Sequence, residues 1–260
     1  MSGNLEKLES WVLDSTRSDV LRFFDIGFSK TGFVDAERMN WFLHSYVAAQ
    51  GRLIEDMPKK YAAVATDLDT GREVWFTEGE LTDAVRASMA LPGLFPAVRN
   101  NQRWLVDGSL VNPVPVTVCR ALGADIVIAV NLNSGIIGKR NNDRQKPGQK
   151  NDQGVLGSIR QQAREYSESI FPAREEKDEA PGLFYAIANS INIVQDRITR
   201  SRLAGDPADV LLSPPLADIG MLEFSRAAEA IQQGEECVQR AIAEICRLTG
   251  RASDTMRRSH

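Results

Sequence analysis

Histidine is nearly absent from this chain of 260 residues: His44 lies inside the apolar stretch WFLHSYV, and His260 is the last residue. A Ser-His-Asp triad is therefore poorly supported. Cysteine is equally scarce. Cys119, Cys237 and Cys246 are odd in number and far from C-x-x-C spacing, which argues against both a disulfide framework and a zinc site and points to a reducing compartment. No apolar run approaches the roughly 20 residues needed to cross a bilayer. The opening MSGNLEKLES lacks the apolar core of a secretory signal. The cytoplasm is therefore the expected location. A formal charge of only -4 creates no basic field, so nucleic acid is not an expected partner. Any contact with a membrane, such as a peripheral one at its inner face, has to be local.

What is present suits a soluble core. A content of 43% hydrophobic and 25% charged residues fits one large α/β domain or two small ones. Leu5, Leu8, Val12, Leu13, Val20, Leu21 and Phe24 recur at mixed three and four spacings, as in a broken amphipathic helix over residues 5–24. A second helix is predicted over 35–50, with Asp35 as N-cap and Gly51 at its end. Residues 61–68 and 73–77 read as a hairpin around Asp69, Thr70 and Gly71. A helix over 80–90 is stopped by Pro92 and Gly93, and a short strand over 103–106 ends on Asp107. The next helix, 114–122, has Gly123 at its C-terminal end and leads into DIVIAVNL at 125–132, apolar on both alternations as a strand covered on both sheet faces should be. Strand, helix and buried strand predict a βαβ unit.

Composition then changes. Between residues 135 and 181 the chain is polar and poor in large apolar residues, with one short helix predicted over 159–170. Beyond it a helix over 183–203, a strand over 210–212 and a helix over 225–249 precede a frayed tail. The expected organisation is a core part at 1–134, a mobile insertion at 135–182, further packing elements at 183–250 and a disordered tail at 251–260.

The most informative segment is LVDGSLVNPVP at 105–115. A short apolar strand there delivers one carboxylate, Asp107, onto a glycine turn, at the strand end where sites form in α/β sheets. Asp-Gly is also a common turn pair whose carboxylate merely bonds its own backbone, and these residues alone favour that plainer role. Their context reverses the preference. YAAVATDLDTG at 61–71, RASMALPGLFPAV at 86–98, ALGADIVIAVNL at 121–132 and DRITRSRLAGDPADVLLSPPL at 196–216 stand around Asp107 in one order. Together they resemble the bacterial branch of the patatin-like phospholipase family, over residues 5–231.

The resemblance implies an α/β/α layered fold with a mostly parallel central sheet, here without the N-terminal strand and the helix that carry the nucleophile. It implies a catalytic pair made of a serine in a G-x-S-x-G elbow and the aspartate of a D-G-G or D-G-A turn, served by a glycine-rich oxyanion loop. Asp107 and Gly108 match that turn, and Ser109 departs from its usual Gly or Ala. Neither the elbow nor the glycine-rich loop occurs in this sequence, and the missing motifs are expected upstream of Met1. The implied activity is hydrolysis of a phospholipid, lysophospholipid or other acyl ester, with a lipid or acyl-ester partner and no cofactor or metal. The alternative is a non-catalytic remnant or binding module that kept the cleft. A dinucleotide site is weaker still, since no G-x-G-x-x-G follows a predicted strand.

Other residues are weighed against blander roles. Ser88, in a helix, and Ser29, in GFSKTG, lack the strand-turn-helix context of an elbow serine, and His44 reads as a helix-face residue. Trp41, Phe42, Leu94, Phe95 and Trp104 are acyl-pocket candidates for which core packing is the better expectation. Lys139, Arg140, Arg144, Lys146 and Lys150 form a basic cluster, but the interleaved Asp143 and Asp152 suit a solvated linker.

Overall fold

The computed structural model describes residues 2–15, 36–135, 183–219 and 223–251. The expected insertion helix, the basic cluster, Ser29, Asp35 and His260 lie outside them.

Helix α1 (Ser2–Asp14) covers the first half of the predicted helix, and Trp11 on it meets Phe42 at 4.8 Å and Tyr46 at 5.6 Å between ring centroids. Those rings belong to α2 (Ala36–Phe42) and to the π-helical turn Leu43–Val47 that continues it. Here Met39 and Leu43 are buried against Val85, Met89, Leu94 and Phe95.

Strands β1 (Ala63–Asp67) and β2 (Glu73–Phe76) form the expected antiparallel hairpin. Its turn is set by local chemistry. Asp67 Oδ1 accepts the N–H groups of Asp69 and Thr70 at 3.0 and 3.1 Å, and Gly71 takes a φ of 66° that side chains rarely adopt. Helix α3 (Leu81–Ser88) then lays Ala87 on one face of the sheet, where Ala65, Ala90, Val98 and Leu105 close a small-residue core. Small side chains let the helix come close to the strands. Strands β3 (Val98–Asn100) and β4 (Arg103–Asp107) follow, and the sheet order is β2-β1-β4-β3, antiparallel throughout.

After a 3-10 turn at Gly108–Leu110 come α4 (Val116–Ala121), β5 (Ile128–Val130), α5 (Leu183–Gly205), β6 (Val210–Leu212) and α6 (Ala227–Thr249). Strands β5 and β6 pair in parallel as a separate two-stranded sheet. Arg120 fastens this half together, reaching Asp206 and Asp209 at 3.2 Å each, while Asp209 also accepts the Val127 N–H at 2.8 Å.

The α/β class is as expected, and two finer expectations are corrected. Parallel pairing is confined to β5 and β6 among the described strands, because the tight turns after β1 and β3 can join only antiparallel neighbours. The parallel partner of β5 is accordingly β6, reached through α5, and not β4. Nor do the described residues cover β5 on both faces. Val127 and Ala129 are buried, but Ile128 and Val130 are 41% and 49% exposed, beside exposed Leu211 of β6. An apolar patch of this kind favours dye binding and self-association. The chain is expected to raise ANS fluorescence, and Ile128→Thr to lower that signal with helix content unchanged by circular dichroism.

On β2, Glu73 accepts hydrogen bonds from Trp75 Nε1 at 2.9 Å and Asn112 Nδ2 at 3.1 Å and pairs with Arg202 of α5. Burial pushes its carboxyl up, but these donors together outweigh burial and hold it below the usual range. A carboxyl depressed in this way stabilises the fold above its unfolded pKa, and that contribution is lost as pH falls through the folded value. Glu73→Gln is therefore expected to cost about 1–2 kcal/mol at pH 7. Unfolding curves of parent and variant should converge in acid.

Candidate active site at the Asp107 turn

Strand β4 sits between β1 and β3, and Asp107 at its end pairs with Ala65 of β1, beyond the reach of β3. Its N–H donates to Ala90 O at 3.0 Å, and Thr66 Oγ1 donates to its carbonyl at 2.8 Å. The side chain turns back on the following residues, with Oδ1 accepting the Ser109 N–H at 2.7 Å. The plain turn role is thus real. Burial nonetheless raises the Asp107 pKa, against the opposing pull of the Ser109 N–H and hydroxyl. Among the described residues no charged side chain contributes to that shift. A carboxyl raised by burial moves toward the range in which a general base works near neutral pH.

Gly108 is required by space. A Cβ built on it would lie 2.1 Å from Val64 O and 2.5 Å from Val64 C, both backbone atoms of β1. Asn112 is buried and closes the turn, its N–H donating to Gly108 O at 2.9 Å. Ser109 meets an element far along the chain: Gln195 Nε2 of α5 donates to its Oγ at 2.7 Å. Gln195 Oε1 in turn accepts from Asn133 Nδ2 at 2.9 Å. Neither Gln195 nor Asn133 stood out in the sequence. The one available signal was a polar cluster, Gln195, Asp196 and Thr199, on an otherwise amphipathic helix, and all three are buried.

The other sequence candidates do not join Asp107. Phe42, Leu94 and Phe95 pack on the Met39–Leu43 core as expected, while Trp41 and Trp104 are exposed instead of packed in the core. Neither His44 nor Ser88 hydrogen-bonds to Asp107 among the described residues, although His44 Nδ1 is buried without a partner. The three cysteines are free. No group of His, Cys, Asp and Glu among the described residues has the arrangement to hold a metal ion. A groove of about 560 Å³ lined by Arg72, Glu73, Trp75, Thr117 and Arg202 belongs to the other side of the sheet. Asp107, Ala65 and Val74 stand in register, so the alternating Glu73 and Trp75 point away from the Asp107 face.

Comparison with known proteins fits this geometry. Residues 6–120 match the family model of patatin-like phospholipase. The chain is 29% identical to an uncharacterized NTE family protein of Mycobacterium tuberculosis, across 93% of its own length and 78% of that protein. A second uncharacterized NTE family protein of the same organism is 41% identical over 31% of this chain and 14% of its own length. The patatin-like phospholipase domain-containing protein 7 of Rattus norvegicus is 31% identical over 49% of this chain and 9% of its own. The matched segment runs through α1, the antiparallel sheet and the Asp107 turn into α4; over it the chain is similar to the patatin-like phospholipase family, and lipid-ester hydrolysis is the activity this likeness supports.

Proposed function

We propose that the chain is the base-bearing part of a serine hydrolase of phospholipids or other acyl esters, with Asp107 as one half of a Ser/Asp dyad. The serine of that dyad belongs to a G-x-S-x-G elbow that these 260 residues do not contain. The observation that carries the reading is a carboxyl at a strand end, raised by burial and opposed only by the N–H and hydroxyl of Ser109 in its own turn. The Asp107 N–H on Ala90 O, the Thr66 hydroxyl on the Asp107 carbonyl and the Ser109 N–H on Oδ1 hold the carboxyl at the strand end, where the elbow serine is to meet it. In the dyad, Asp107 takes the serine proton as Oγ attacks the acyl carbonyl, then returns it to the departing alcohol. It next activates the water that releases the acyl group. Amides aimed at the developing oxyanion have to come with the elbow.

This reading places the protein in the cytoplasm, touching lipid from the surface. No helix among the described residues is long and apolar enough to span a bilayer. The 260-residue chain alone is expected to hydrolyse p-nitrophenyl butyrate no faster than buffer, with Asp107→Asn indistinguishable from it. Clear turnover by the parent, abolished by Asp107→Asn, would mean that another serine acts and would overturn the proposed division of labour.

A further inference from the structure

Ser109 is the position at which this turn departs from glycine or alanine, and its hydroxyl is put to use. Gln195 is 4% exposed, and both ends of its amide are engaged, the amino group by Ser109 Oγ at 2.7 Å and the carbonyl by Asn133 Nδ2 at 2.9 Å. Asn133 is itself placed by the turn after β5, where its N–H donates to Asn131 Oδ1 at 3.1 Å. A buried amide that forfeits its partners is costly, so the chain from Asn133 to Gln195 to Ser109 has one favourable orientation. With an N–H arriving at Oγ, the Ser109 hydroxyl hydrogen has to point elsewhere. The acceptor beside it is Asp107, whose Oδ1 already takes the Ser109 N–H at 2.7 Å.

We infer that Gln195 is a positioning residue for Asp107: acting through Ser109, it fixes the turn and aims the Ser109 hydroxyl at the carboxylate. The inference deepens the reading of Asp107 as the base and rests on it. It gives α5, some 86 residues downstream of Ser109, a part in a site that otherwise lies within the antiparallel sheet and its turn. Ser109 and burial are the influences on the carboxyl, so an uncharged replacement of Gln195 reaches it through that hydroxyl.

The test is a carbon-13 NMR titration of the Asp107 carboxyl in the full 260-residue chain, assigned by the signal lost in Asp107→Asn. Ser109→Ala keeps the backbone N–H and removes the hydroxyl, and should raise the midpoint by on the order of half a unit, the worth of one neutral hydrogen bond to the charged form. Gln195→Met, which removes the donor to Ser109 without adding charge, should raise it too. Ser109→Thr, which retains the hydroxyl, should restore the parent value. Should Gln195→Met fail to fold, Gln195→Leu removes the donor in the same way and is expected to raise the midpoint in the same sense. An unmoved midpoint in Ser109→Ala, and in whichever Gln195 variant folds, would reduce Gln195 to a packing residue and overturn the inference. Since the titration needs no turnover, its failure is distinct from a failure of Asp107 in an activity assay.

Discussion

Gly108→Ala should unfold the chain or leave it barely folded. A Cβ at this position would stand 2.1 Å from Val64 O, and the clash is with backbone rather than with a side chain that can swing aside. Val64 lies in β1, which pairs with β2 on one side and β4 on the other, so the strand has no free direction in which to retreat. Gly108 cannot retreat either. Its carbonyl accepts the N–H groups of Val111 and Asn112 at 3.1 and 2.9 Å, and Asp107 before it is pinned to Ala90 and Thr66. Overpacking of this kind is expected to cost about 3 kcal/mol or more, out of a total stability of about 5–15. Urea unfolding of parent and variant measures it, and a cost below about 1 kcal/mol would contradict the close approach. The glycine of the turn is thus a folding requirement, whatever chemistry Asp107 performs.

That same turn marks how far the sequence could be read. The hairpin was legible because its causes are local: a carboxylate at Asp67 capping two N–H groups, and a glycine at positive φ two residues before the second strand begins. Strand β4 and the placing of Asp107 at its end were legible for the same reason. Helices α3 and α4 came through their apolar spacing and their Gly and Pro stops. Sheet pairing was not legible, since which strands lie side by side is decided by contacts far apart in the chain. DIVIAVNL states the environment that β5 asks for, two covered faces, whereas the described residues cover one, through Val127 and Ala129. Gln195 left only the weak trace of a polar cluster on its helix. A glutamine on a helix reads as solvent-facing until Ser109 and Asn133, each distant in sequence, are seen at its two ends.

The largest effect on activity is expected once a serine elbow is supplied. Joined in frame to a segment carrying a glycine-rich loop and G-x-S-x-G, the chain should hydrolyse p-nitrophenyl butyrate. Asp107→Asn should then remove the activity by several orders of magnitude. A base and nucleophile that work as a unit are strongly non-additive, so serine→Ala, Asp107→Asn and the double variant should fall to nearly the same residual rate. Asn retains the oxygen that accepts the Ser109 N–H, and replacing a carboxyl whose pKa burial has raised removes a buried charge, so the variant should fold at least as well as the parent at neutral pH. Loss of rate can then be assigned to chemistry. The decisive measurement is this double-mutant cycle in kcat/KM, with unfolding midpoints recorded alongside. The dyad predicts that the two single losses do not add and that the Asp107→Asn protein is fully folded. Near-parental turnover by folded Asp107→Asn would contradict it.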